Sequence, residues 1–134
     1  MNYWLMKSEP GTYSWDDLLK DGSTFWDGVR NYTARNNMKS MKVGDLAFFY
    51  HSVKQTRILG VAKIVKEYYQ DPSTDDDRWV AVDIEPLSAL NNPVTLEQVK
   101  SDDRLSDMIL VRQSRLSVQP VTKEEWDIIM KLGS

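Results

Sequence analysis

The chain has 134 residues, 41% hydrophobic and 28% charged, with a formal net charge of −3, a balance that fits one globular domain and excludes a disordered segment. It holds no cysteine and one histidine, His51, which excludes disulfides, thiolate metal centres, cysteine nucleophiles and zinc sites built from several histidines. No apolar run approaches the about 18 residues that span a bilayer, and the apolar start, Met1 to Met6, is too short for a secretory leader; a cytoplasmic protein, nuclear if eukaryotic, working away from membranes is expected.

Tyr3 to Lys7 is a short apolar run closed by Glu9-Pro10-Gly11, which predicts a first strand. Ser14 followed three residues later by Asp17 predicts a capped helix that Gly22 ends. Gly28 to Asn31 reads as a loop, and Tyr32 to Met41 as a second short helix with Met38 and Met41 on one side. After a turn at Gly44-Asp45, three strands are predicted: Leu46 to His51, Ile58 to Tyr69 with a bend or bulge at Gly60, and Trp79 to Ile84 with Val80, Val82 and Ile84 on one face. Between the last two, Pro72 to Asp77 reads as an exposed loop. Thr95 with Gln98, and Thr122 with Glu125, mark two further capping boxes. The second opens a terminal helix that turns Trp126, Ile129 and Met130 inward and stops at Gly133. Leu116 to Pro120 alternates as a last strand. Strands interleaved with helices too short for βαβ crossovers predict a small α+β domain around a curved or barrel sheet.

The charge is uneven. From Gly28 to Lys66 there are eight basic residues and one acid, Asp45, so this stretch carries +7 and the remainder −10. Such a segment is either a solvated face or an electrostatic footprint for nucleic acid.

Signals for catalysis are weak. No phosphate loop, HExxH or GxSxG is present, and Asp16-Asp17 and Asp102-Asp103 sit where capping and solvation explain them. A pocket for a planar ring is better supported. Holding an extruded base takes an aromatic face, polar groups for the base edge and cations for the flanking phosphates. Trp26 to Asn31 supplies an indole, a glycine, a cation and an amide; Phe48 to Ser52 supplies aromatics that alternate between faces; Lys7-Ser8-Glu9 adds polar groups at a strand end. Phe48 reads as core. Trp26, among polar loop residues, reads as pocket wall, with core as the alternative.

Tyr3-Trp4-Leu5-Met6-Lys7-Ser8-Glu9-Pro10, Trp26-Asp27-Gly28-Val29-Arg30-Asn31, Met41-Lys42-Val43-Gly44-Asp45-Leu46, Phe49-Tyr50-His51-Ser52 and Leu110 to Val121 together resemble the EVE domain family, over nearly the whole chain. The resemblance implies a single domain over residues 1–134 with a PUA-like β-barrel and short helices packed around it, related to the YTH domain. It implies a non-catalytic reader without cofactor or metal that flips a modified base, chiefly a modified cytosine in DNA, into a pocket. The alternative is an RNA-binding or nucleotide-processing accessory domain of the same fold, for which Glu9 and His51 are the only acid/base candidates. By position the pocket would comprise Lys7, Ser8, Glu9, Trp26, Val29, Arg30, Asn31, Tyr50, His51 and Ser52, with Arg112 and Ser114 adding polar contacts and Arg35 and Lys39 touching phosphates. The expected partner is nucleic acid, with the protein a monomer or weak dimer. One departure stands out: the family often has Asn-Pro-Gln-Ala-Arg-Asn where this chain has Asn31-Tyr32-Thr33-Ala34-Arg35-Asn36. A proline is lost at an expected first helical position, leaving Tyr32 either to pack elsewhere or to edge the pocket.

Overall fold

A computed structural model describes all residues from Met1 to Ser134. The elements run β1 (Tyr3–Ser8), α1 (Trp15–Asp21), β2 (Thr24–Trp26), α2 (Tyr32–Ser40), β3 (Leu46–His51), β4 (Arg57–Gln70), β5 (Val80–Thr95), α3 (Leu96–Ser101), a 3-10 turn (Asp103–Leu105), α4 (Ile109–Arg112), β6 (Val118–Val121) and α5 (Lys123–Leu132). The strands form one sheet in the order β2-β5-β4-β3-β1-β6, so all five strands predicted from the sequence share it. β1 lies parallel to β3 and antiparallel to β6; the remaining pairs are antiparallel.

Both faces of the sheet are covered, which explains why β1 and β3 read as continuous apolar runs. Trp4, Met6, Ala47, Phe49, Ala62, Ile64, Val80, Val82 and Ile84 point to one core, which α1 and α2 close with Trp15, Leu18, Ala34 and Met38. Leu5, Phe48, Tyr50, Ile58 and Val61 point to a second core, closed by Val99, Leu105, Met108, Leu110, Trp126 and Ile129. Phe48 is therefore core, as expected, and stacks on Trp126 with ring centroids 3.8 Å apart. No helix is long and apolar enough to cross a membrane.

The sheet curls about the first core. In a flat sheet β2 and β3 would lie about 14 Å apart across two intervening strands, yet the Trp26 and Phe49 rings meet edge-on at 5.6 Å. Register shifts along β4 and β5, the first between Ile58 and Gly60, supply the bend. Gly60 is required there, because a Cβ would collide with the Trp15 ring. The expected α+β class and packed helices hold, but β2 and β6 remain unpaired edges, so the barrel is an open curl and not a closed one.

The three capping boxes form as the sequence predicts, at Ser14 with Asp17, Thr95 with Gln98 and Thr122 with Glu125. Three expectations need correction. Trp26 is not in a loop: it ends a three-residue strand paired to β5 through Val82. β5 runs on past Ile84 to Thr95 despite Pro86 and Pro93. The last strand begins at Val118, with Leu116 buried ahead of it.

Candidate functional site

A cleft of about 560 Å³ opens at the end of β1, beside β2 and the loop that follows it. It is lined by Lys7, Ser8, Glu9, Thr12, Tyr13, Thr24, Phe25, Trp26, Asp27, Gly28, Val29, Arg30 and Ser117. Six of the residues expected in the pocket, Lys7, Ser8, Glu9, Trp26, Val29 and Arg30, thus come together here.

The floor is built by packing. Trp26 is 8% exposed and belongs to the first core; burial on Phe49 fixes the indole while part of the residue still lines the cleft. Pocket wall and core are one role at this position, which corrects the reading of Trp26 as too polar in its surroundings for a core residue. Val29 is buried beside it.

The walls are held by hydrogen bonds. The Ser8 hydroxyl donates to the Tyr13 carbonyl, and the Glu9 carbonyl accepts from the backbone of Thr12 and Tyr13, which fixes the backbone that carries the exposed Glu9 side chain. Lys7 Nζ donates to the Ser114 carbonyl at 2.6 Å, and partial burial lowers its pKa. Opposite, Gly28 adopts φ 76°, a left-handed conformation that favours glycine, and its N–H donates to Asp71 Oδ2 at 2.8 Å. Arg30 Nη1 reaches the same oxygen at 2.9 Å and Nη2 reaches the Ser73 hydroxyl at 3.2 Å. Ser73 donates to Asp71 Oδ1 through both its N–H and its hydroxyl. Burial of Asp71 by itself would raise its pKa, but the bonds from Ser73, Arg30 and Gly28 outweigh it and hold the carboxyl at about 2. Asp71 is fully buried and latches the pocket loop to the β4–β5 connection. Sequence reading missed it, although Asp-Pro-Ser is a sequence in which an aspartate side chain bonds the backbone two residues on.

The other expected residues lie elsewhere. Tyr50 faces the second core, since it alternates with Phe49 along β3; burial raises its pKa, partly offset by a bond from Thr56. His51 Nε2 accepts the N–H of Trp15 at 3.0 Å, satisfying a free donor at the start of α1. Burial first, and then Arg57, lower its pKa, so the ring is held neutral. The Ser52 N–H donates to the Ser8 carbonyl and prolongs the β1–β3 pairing. None of these three lines the cleft. Asn31 is the N-cap of α2, its Oδ1 accepting the Ala34 N–H at 2.9 Å. Asn31, Arg112 and Ser114 line a second cavity of about 360 Å³, together with Thr33, Gln113, Arg115 and Leu116. Of the residues expected at phosphates, Arg35 bonds Asn36 Oδ1 and the Arg78 carbonyl, while Lys39 is exposed over the Tyr68 ring. Tyr32 opens α2 where a proline was expected and packs away from the cleft, its ring 5.1 Å from Trp79 and beneath Arg35. Asp102 caps the 3-10 turn, accepting the Arg104 N–H. No group of three or more His, Cys, Asp or Glu residues is placed to hold a metal ion.

The cleft therefore offers aromatic side chains at Trp26, Tyr13 and Phe25, two carboxylates at Glu9 and Asp27, two cations at Lys7 and Arg30, and hydroxyls at Ser8, Thr12, Thr24 and Ser117. That set can sandwich or wall a planar heterocycle and satisfy both donors and acceptors on its edge. Known proteins agree with the fold and the family. The mouse protein "Thymocyte nuclear protein 1" is 41% identical over 165 residues, covering 98% of this chain and 73% of the relative. Human THYN1, solved in complex with 5-methylcytosine-containing DNA, is 38% identical with a TM-score of 0.92, covering 100% of this chain and 98% of that one. The YTH domain of a Zygosaccharomyces rouxii protein, at 17% identity and a TM-score of 0.65 over 99% of this chain and 86% of that one, shares the fold alone. The EVE domain family model matches residues 2–132, and the chain belongs to that family.

Proposed function

We propose that this domain reads a modified base, a cytosine derivative in DNA, by accepting it into the cleft beside Trp26. The observation that carries the reading is the meeting of a core-anchored indole with Lys7, Ser8, Glu9 and Arg30 around one opening of about 560 Å³. The kinship to a human protein solved with 5-methylcytosine DNA supports the choice of ligand.

The chemistry follows from cytosine's edge. Its exocyclic amine donates, and Glu9 or Asp27 is the acceptor of the right type; its ring nitrogen and carbonyl accept, and Lys7 or Arg30 can donate. A methyl or related group on the ring then changes apolar contact with the cleft wall. Extruding the base costs a few kcal/mol. Stacking returns about 1–3 kcal/mol, so edge bonds and phosphate contacts must supply the rest, and a lone domain binds weakly unless avidity adds to it. The domain acts by binding and not by turnover: His51 spends its accepting nitrogen on Trp15 and does not line the cleft, so it forms no acid/base pair with Glu9 there. The test is a titration against duplexes that differ only at one cytosine. Tighter binding to a modified duplex supports the reading; equal affinity for all of them sinks it.

A further inference from the structure

We infer that the second cavity, lined by Asn31, Thr33, Arg112, Gln113, Ser114 and Arg115, is a phosphodiester subsite that grips the DNA strand next to the base held in the first cleft. The inference rests on the base-reading assignment of that cleft, and it moves Asn31, Arg112 and Ser114 from base recognition to backbone recognition.

Three observations carry it. The first is adjacency. Arg30 lines one cavity and Asn31 the other; Ser117 lines one and Leu116 the other. Lys7, in the first, donates to the carbonyl of Ser114, in the second. The two openings thus meet at consecutive residues on each of two walls, and one strand of nucleic acid can occupy both, since only a sugar links a base to its phosphate.

The second observation is the donor set. The cavity presents two guanidinium groups, two hydroxyls and two amides, and no carboxylate lines it. That combination suits a phosphate oxygen, which only accepts. The carboxylates, which would repel a phosphate, lie instead in the first cleft, at Glu9 and Asp27.

The third is that the cations are available. Arg115 makes no ion pair or side-chain hydrogen bond. Arg112 pairs only with Asp107 at 3.0 Å, and their side chains are 63% and 89% exposed. Such an exposed pair holds weakly and yields to a phosphate. Arg30, by contrast, is held by the buried Asp71 at the first cleft and does not line this cavity.

The experiment compares the protein with the double variant Arg112→Gln/Arg115→Gln, and with Arg115→Gln alone in case the double variant folds poorly. Affinity for an oligonucleotide carrying one 5-methylcytosine, and for its unmodified counterpart, is measured across salt concentrations. Each phosphate contact contributes about 0.9 to the slope of log affinity against log salt. The double variant is expected to bind both oligonucleotides more weakly by the same factor, with a slope shallower by about 1. Its affinity then falls about 4-fold less between about 50 and 200 mM salt. An unchanged slope overturns the inference. So does a lost preference for the modified base at constant slope, which would return Arg112 to base reading. A wild-type protein that binds both oligonucleotides alike defeats the base-reading assignment, while the slopes still decide the phosphate site. No binding to either oligonucleotide defeats both.

Discussion

Trp26 and Trp126 are both buried, at 8% and 5% exposure, and on opposite faces of the same sheet. Trp126, carried by α5, lies flat on Phe48, 3.8 Å between centroids and 17° between planes, inside the second core. Trp26 meets Phe49 edge-on at 88° and ends the sheet's open edge strand, where part of the residue also lines the cleft. Burial therefore does not separate a structural aromatic from a functional one here. What separates them is whether the remaining surface of the ring meets apolar side chains or a cleft lined with charges. The second face of the sheet is filled by three helices and a 3-10 turn. The first is covered by two helices, and the cleft lies beyond them at the end of β1.

This contrast can be broken by experiment. The largest effect is expected for Trp126→Ala, which removes a fully packed ring and should cost about 3–5 kcal/mol of stability in denaturant unfolding. The folded fraction should still prefer modified DNA. Trp26→Ala should cost less stability, about 3 kcal/mol, since part of the ring's surroundings is already open. It should also remove about 1–3 kcal/mol of binding to a modified oligonucleotide, as measured by titration below the unfolding temperature. If both variants lose the same stability and neither loses binding, the two tryptophans are equivalent and the cleft is not a base pocket.

The latch at Asp71 sharpens the comparison through pH. Its folded pKa, about 2, lies below the unfolded value of 3.8. A depressed carboxylate contributes stability above its unfolded pKa and loses it as pH falls through the folded one. The contribution is on the order of 2 kcal/mol at neutral pH. Asp71→Asn should therefore be less stable than the wild type at neutral pH, with the gap closing between about pH 4 and pH 2. A gap independent of pH would assign the effect to packing.

The smallest effect is expected at Lys39→Gln on α2. Stability should change by no more than about 0.5 kcal/mol, with modified and unmodified DNA weakened alike and the salt slope reduced by about 1 if the lysine meets a phosphate. Salt-independent binding would remove the basic segment from the interface.

The fold was legible where local chemistry is strong. Three capping boxes, the aromatic run of β3 and the alternation at the start of β5 all follow from side chains next to one another in sequence, and Gly60 marks the bend that the distant Trp15 ring requires. β2 was not legible, because three residues, Thr24 to Trp26, form a strand only when β5 offers an edge. The run of β5 through Pro86 and Pro93 was hidden for the same reason: bulges against β4 remove the need for a regular ladder at those positions. In the site, six of the residues that the family resemblance assigns to the pocket, Lys7, Ser8, Glu9, Trp26, Val29 and Arg30, line one cleft. The residues that did not join it have two kinds of reason. Tyr50 turns to the other face by strand alternation and Asn31 is taken by the cap of α2, three residues away, both local effects. His51 is drawn to the start of α1, 36 residues away along the chain, which only the tertiary fold decides.

The central claim is that a modified cytosine leaves the duplex and lodges beside Trp26. A crystal structure of the protein with a duplex bearing one 5-methylcytosine tests it most directly. The account predicts the methylated ring inside the cleft, with Trp26 on one side and Lys7, Ser8 and Glu9 along its edge. A 5-methylcytosine still stacked in the helix, with the cleft empty and the protein docked through another surface, would contradict it.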